Sequence, residues 1–109
     1  MKYRRATHVE LGGTSYKGTI HAPYDRLVRI FGEPTESKEK DKIQAEWLLK
    51  FEDGTVAAIY DWKMEGTPLQ EIREWMVGGN SAKSLFYIVA IAFKGAYRAL
   101  VRSIFEGEK

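Results

Sequence analysis

The chain has 109 residues, the size of one domain, and 44% of them are hydrophobic and 29% charged, ordinary values for a globular fold. Seventeen basic and 15 acidic side chains leave a formal charge of +2, too weak for a surface built on duplex nucleic acid. Cysteine is absent, which excludes disulfides and thiolate metal sites and is compatible with a reducing cytoplasm. The first eleven residues are charged and lack the apolar core of a leader. The longest apolar stretch, Leu85 to Phe93, has nine residues, well short of the about 20 needed for a membrane span.

In chain order, two short runs at 7–11 and 16–22 flank Gly12-Gly13 and predict a hairpin. Pro23 suits a first helical turn, and Tyr24, Leu27, Val28 and Phe31 recur at helical spacing until Gly32 and Pro34 stop the pattern. Residues 33–42 are charged and polar and predict a mobile surface loop, read either as a plain linker or as a flap over a site. A strand over 42–51 alternates, with Ile43, Ala45, Trp47, Leu49 and Phe51 on one face. Asp53-Gly54 is a strong hairpin turn, because both positions tolerate positive φ. The strand after it, 55–63, puts Val56, Ala58, Tyr60 and Trp62 on one side and Ala57, Ile59 and Asp61 on the other, the pattern of a central strand. A strand over 71–77 follows. A helix over 81–105 closes the chain, apolar on more than half its circumference, which one sheet face cannot cover. The order β-β-α-β-β-β-α predicts a single α+β domain over 1–109, an antiparallel sheet with two helices packed on one face.

Several clusters bear on function. Gly78-Gly79-Asn80-Ser81 opens the last helix: either Asn80 or Ser81 serves as N-cap, or the amides receive a phosphate, with Asn80 donating and accepting. Trp47 reads as core, while Trp62 and Trp75 lie on mixed faces, so one of them is a candidate to stack a base. Lys94, Arg98 and Arg102 form a basic stripe at four-residue spacing, suited to phosphate, or else a solvated edge compensating the helix dipole. His8 and His21 both fall in the first hairpin and would be the acid and base of any enzyme, but no nucleophile or carboxylate spacing accompanies them. Asp61, between Tyr60 and Trp62, reads as a hydrogen-bonded strand residue ahead of a perturbed carboxylate.

The runs YDRLVRIFGEP, KIQAEWLLKFEDGTVAAIYDWK and EWMVGG cover about half the chain. They resemble the Thoeris anti-defence one family, bacteriophage sponges that sequester cyclic ADP-ribose signals made by bacterial TIR-domain immune proteins. The resemblance implies an antiparallel sheet with two helices on one face. It also implies a homo-oligomer, at least a dimer, with nucleotide pockets between subunits, in the cytoplasm of the infected host. Carried over loosely, it assigns ligand contacts to Arg26, Trp75, Asn80 and Arg98, and the basic stripe adds Arg102. The expectation is therefore a non-enzymatic binder of a cyclic nucleotide, with no cofactor, no metal, no membrane and no duplex nucleic acid. The alternative is a protein-binding inhibitor of a host defence complex, similar in role to an anti-CRISPR, docking through the apolar last helix.

Overall fold

The computed structural model describes residues 2–35, 37 and 42–93. Its strands are β1 (Tyr3–Arg5), β2 (Ser15–His21), β3 (Glu46–Phe51), β4 (Val56–Tyr60) and β5 (Glu74–Gly79), and its helices are α1 (Tyr24–Phe31) and α2 (Ala82–Ala92). All neighbouring strands are antiparallel, in the spatial order β1-β3-β4-β5-β2. This is the α+β architecture the sequence predicts.

The centre of the sheet follows local sequence rules. Gly54 takes φ +89, and Asp53 Oδ1 accepts from the Thr55 amide at 2.9 Å, so the turn sets β3 against β4 with Trp47 opposite Ile59. The edges do not follow local rules. The expected hairpin over 7–11 and 16–22 is not formed. Residues Val9–Leu11 make a short 3-10 turn, and β2 pairs instead with β5, from Ser15 opposite Gly79 to His21 opposite Glu74. The first strand is β1, at the opposite edge on β3. Because β1 and β2 occupy opposite edges, the connection between them must cross the sheet. Leu11 is buried there against Leu48 and Val56, which a hairpin would forbid.

Alternation decides what each face carries. Trp47, Leu49, Phe51, Ala57, Ile59, Trp75 and Val77 face the helices, and Leu27 and Phe31 of α1 and Ile88 and Ala92 of α2 complete that core. The two indoles bury on the order of 200 Å² each, about 5 kcal/mol of transfer free energy apiece at ~25 cal/mol per Å². Both satisfy their N–H: Trp47 Nε1 donates to Gly32 O at 2.8 Å and Trp75 Nε1 to Ala22 O at 3.0 Å. They meet edge-on, 5.3 Å apart at 74°. Gly32, at φ +89, ends α1, and the Arg5 guanidinium donates to the freed carbonyls of Phe31 (2.9 Å) and Glu33 (2.8 Å) and to Thr35 Oγ1 (2.7 Å).

The close approach of α2 depends on small residues. Ser84 Oγ, fully buried, donates to Val56 O at 2.7 Å. A Cβ at Gly79 would overlap Ser84 Oγ and Cβ and stand 2.7 Å from Val56 O. The start of α2 is tied to the β3–β4 turn on two sides. Asn80 Oδ1 accepts from the Val56 amide at 3.0 Å, and Tyr87 O–H donates to Asp53 Oδ2 at 2.6 Å. That phenol holds the Asp53 carboxyl at about 2, below its ordinary 3.8, and its own ionisation is pushed up in turn. The predicted helix over 81–105 is present over Ala82–Ala92, and residues 94–109 lie outside the described residues. Of the expected loop over 33–42, Thr35 is bridged to Glu46, its amide donating to Glu46 O at 2.6 Å, while 36 and 38–41 lie outside the described residues.

Candidate functional site

Among the described residues, no α-helix lies on the second face of the sheet. Period-two geometry turns Glu46 and Leu48 of β3, Ala58 and Tyr60 of β4 and Gly78 of β5 to this side. The crossing segment covers part of the face through Leu11. What remains is a groove of about 520 Å³, walled by His8, Thr14, Tyr16 and Ile43, floored by Leu48, Ala58 and Gly78, with Tyr60 and Trp62 along it. Its volume is that of a small-molecule site. Gly78 keeps the floor flat, since a Cβ there would reach 3.6 Å from the Tyr60 ring.

Aromatic surface is available here and polar groups are fixed. Tyr16 is 58% exposed and Trp62 39% exposed. Tyr60 and Trp62 meet edge to face, 6.5 Å apart at 82°. His8 Nε2–H donates to Glu46 Oε1, joining the crossing segment to the wall of the groove, and Glu46 is buried.

The end of the groove beyond β4 is rigidly built. Asp61 is fully buried, and its Oδ1 accepts from the amides of Gln44 (2.8 Å) and Ala45 (2.9 Å). Its Oδ2 has no hydrogen-bond partner among the described residues. The Gln44 side chain donates to Met64 O at 2.7 Å and Thr67 O at 3.1 Å. Lys63 sits at φ +56, left-handed for a residue with a Cβ, and its amide donates to Lys42 O at 2.8 Å. Such a backbone costs roughly 1–2 kcal/mol and persists only where neighbours enforce it. The outcome is two ammonium groups over one indole: Lys42 Nζ lies 5.6 Å and Lys63 Nζ 5.9 Å from the Trp62 ring centroid.

A second concavity, about 380 Å³, lies along the β1–β3 edge between Arg4 and Lys50. Two of its cations are already engaged: Glu10 pairs with Arg4 at 2.6 Å and with Lys50 at 3.5 Å. The Arg4 hydrogen bond, aided by the Thr7 amide, lowers the Glu10 carboxyl to about 2 from the ordinary 4.5. The groove on the open face is the better candidate.

The residues singled out from sequence fall in different places. Trp75 is 0% exposed, its ring packed against Tyr24 at 6.1 Å and Trp47, and it has no face for a base. Its assignment as a ligand contact is corrected, because β5 pairs on both sides and turns Trp75 to the helices. Trp62 is the exposed one of the two ambiguous tryptophans. Asn80 is a clamp on the β3–β4 turn, and the N-cap of α2 is Ser81, whose Oγ accepts from the Lys83 amide at 3.1 Å. The glycine pair thus fits helix packing and the groove floor. Arg26 stands on the helix side of the sheet, its guanidinium 5.8 Å over the Phe93 ring. Lys94, Arg98 and Arg102 lie outside the described residues. His8 and His21 are held by different carboxylates, Glu46 and, at 3.8 Å, Glu74. Asp61 is hydrogen-bonded as expected, but through Oδ1 alone and just past the end of β4 rather than within a strand. Sequence reasoning missed Tyr16, Lys42 and Lys63. The available signal was the second apolar face of β4, Val56, Ala58, Tyr60 and Trp62, which the two helices do not cover.

No family model matches this chain, and neither does a curated protein or a solved structure. Among the described residues no group of three or more His, Cys, Asp or Glu side chains is placed to hold a metal, and no helix is long and apolar enough to cross a membrane.

Proposed function

We propose that this protein binds and sequesters a cyclic nucleotide of the cyclic ADP-ribose type without cleaving it, as a bacteriophage anti-defence protein in the cytoplasm of its host. The observation that carries the reading is the open-face groove, with Trp62 exposed beside Tyr60 at one end. A base stacked on an aromatic ring gains about 1–3 kcal/mol. Sequestration needs complementarity to the ground state, which a pre-formed groove supplies. The resemblance of the YDRLVRIFGEP, KIQAEWLLKFEDGTVAAIYDWK and EWMVGG runs supports the same ligand class.

Sequestration calls for tight binding, and nanomolar affinity is about −12 kcal/mol. In this proposal the protein is at least a homodimer. Phe86, on the outer side of α2, is 54% exposed and supports an apolar contact with another chain. The same residue supports the second reading, docking on a host defence protein. Sedimentation at micromolar concentration separates the two: a dimer favours the sponge, a monomer the inhibitor.

The test is titration calorimetry with a cyclic ADP-ribose isomer against wild type and Trp62→Ala. Trp62 lies past the end of β4 and outside the core, so the variant folds. Affinity is expected to fall about 5- to 150-fold, the loss of one stacking contact. Equal affinity for the two proteins removes the groove from the account.

A further inference from the structure

We infer that the Lys42–Trp62–Lys63 cluster recognises phosphate, so that the groove takes a planar ring linked to a phosphate or pyrophosphate in one fixed direction. This rests on the groove being a nucleotide site and adds the ligand's charge and orientation.

Three observations support it. First, the two ammonium groups share one indole, at 5.6 and 5.9 Å from its centroid, although like charges repel. Secondly, neither makes an ion pair among the described residues, whereas Lys50 pairs with Glu10 and Lys83 approaches Asp53. A pair of cations beside an exposed ring, with no ion-pair partner among the described residues, is complementary to an anion carried by an aromatic group. Thirdly, the arrangement is imposed by the backbone. The left-handed Lys63, its hydrogen bond to Lys42 O and the Asp61 bonds to the 44 and 45 amides fix the backbone that carries both lysines before any ligand arrives. Nothing in the packing of the core requires a lysine at that strained position, where glycine would be easier.

The groove is also polar along its length. Glu46, opposite Tyr60 in the β3–β4 register, places a carboxylate in its middle, held by His8. A phosphate there would be repelled. The phosphate therefore goes to the lysine end, the ring lies on Trp62, and sugar hydroxyls face Glu46, an acceptor for them.

The experiment titrates wild type, Lys42→Ala, Lys63→Ala, the double variant and Trp62→Phe with ADP, adenosine and inorganic pyrophosphate. Calorimetry gives affinities, and tryptophan fluorescence follows Trp62, since Trp47 and Trp75 are buried. ADP is expected to bind more tightly than adenosine, each single lysine variant to weaken ADP about tenfold, and the double variant to lose pyrophosphate while keeping adenosine. If ADP binds no better than adenosine, or binds the lysine variants as it binds wild type, the inference is overturned while the groove remains a nucleotide site. If pyrophosphate binds through the lysines but no nucleotide does, the lysine pair stands and the nucleotide reading falls. If none of the three ligands binds, both are overturned.

Discussion

Gly79→Ala separates two roles for the Gly78-Gly79 pair. A methyl group at Gly79 overlaps Ser84, whose hydroxyl is bonded to Val56 O, and reaches 2.7 Å from that same carbonyl oxygen. One neighbour is backbone in a central strand and the other is the first turn of α2, so neither yields without moving an element. Overpacking costs about 1–3 kcal/mol, and loss of the Ser84 bond with its acceptor left buried adds about 1 kcal/mol. The expected total is about 2–4 kcal/mol in urea unfolding, with Tm lower by about 10 °C or more. Gly78→Ala is the control. Its methyl would stand 3.4 Å from Ser15 O and 3.6 Å from the Tyr60 ring, on the groove side. Neither glycine has positive φ, so the contrast is one of space alone. Gly78→Ala should change stability by less than about 1 kcal/mol. A Gly79→Ala variant as stable as wild type would refute the packing explanation and reopen a ligand role for the pair.

Three further outcomes follow from named contacts. Asp61→Ala leaves the Gln44 and Ala45 amides without their acceptor and should cost about 3 kcal/mol, read by chemical denaturation. Lys63→Gly removes the strained Cβ and should raise stability by about 1 kcal/mol while weakening ADP binding, a trade-off measured by melting and calorimetry. Glu10 and Asp53 both titrate lower in the folded chain, at about 2 against ordinary values of 4.5 and 3.8. Their stabilisation is complete above those ordinary values and disappears as pH falls toward 2, so stability should drop across that interval. Glu10→Gln and Asp53→Asn should each flatten the drop in acid-unfolding curves.

What the sequence made legible was local. The Asp53-Gly54 turn, the alternation of Trp47, Leu49 and Phe51, and the α1 stripe ending at Gly32 depend on neighbours a few residues away, and all formed as expected. The edges were not legible, because β2 reaches β5 across more than fifty residues and no local pattern encodes that pairing. The same non-local pairing decides that Trp75 is core: its strand has mixed faces, and only the β4–β5–β2 order turns it to the helices. Lys42 was hidden because it closes a charged run that reads as solvent-facing. Lys63 was hidden because its significance lies in a backbone angle. Trp62 was half visible, as one of two tryptophans that could be exposed.

The central claim is that the groove retains a nucleotide intact. The most direct measurement incubates the protein with cyclic ADP-ribose signals from a TIR-domain protein, removes free ligand by filtration, denatures the protein and analyses the released material by mass spectrometry. The account predicts an unmodified cyclic nucleotide from wild type and at least fivefold less from Trp62→Ala. A cleaved product, or equal retention by Trp62→Ala, would contradict it.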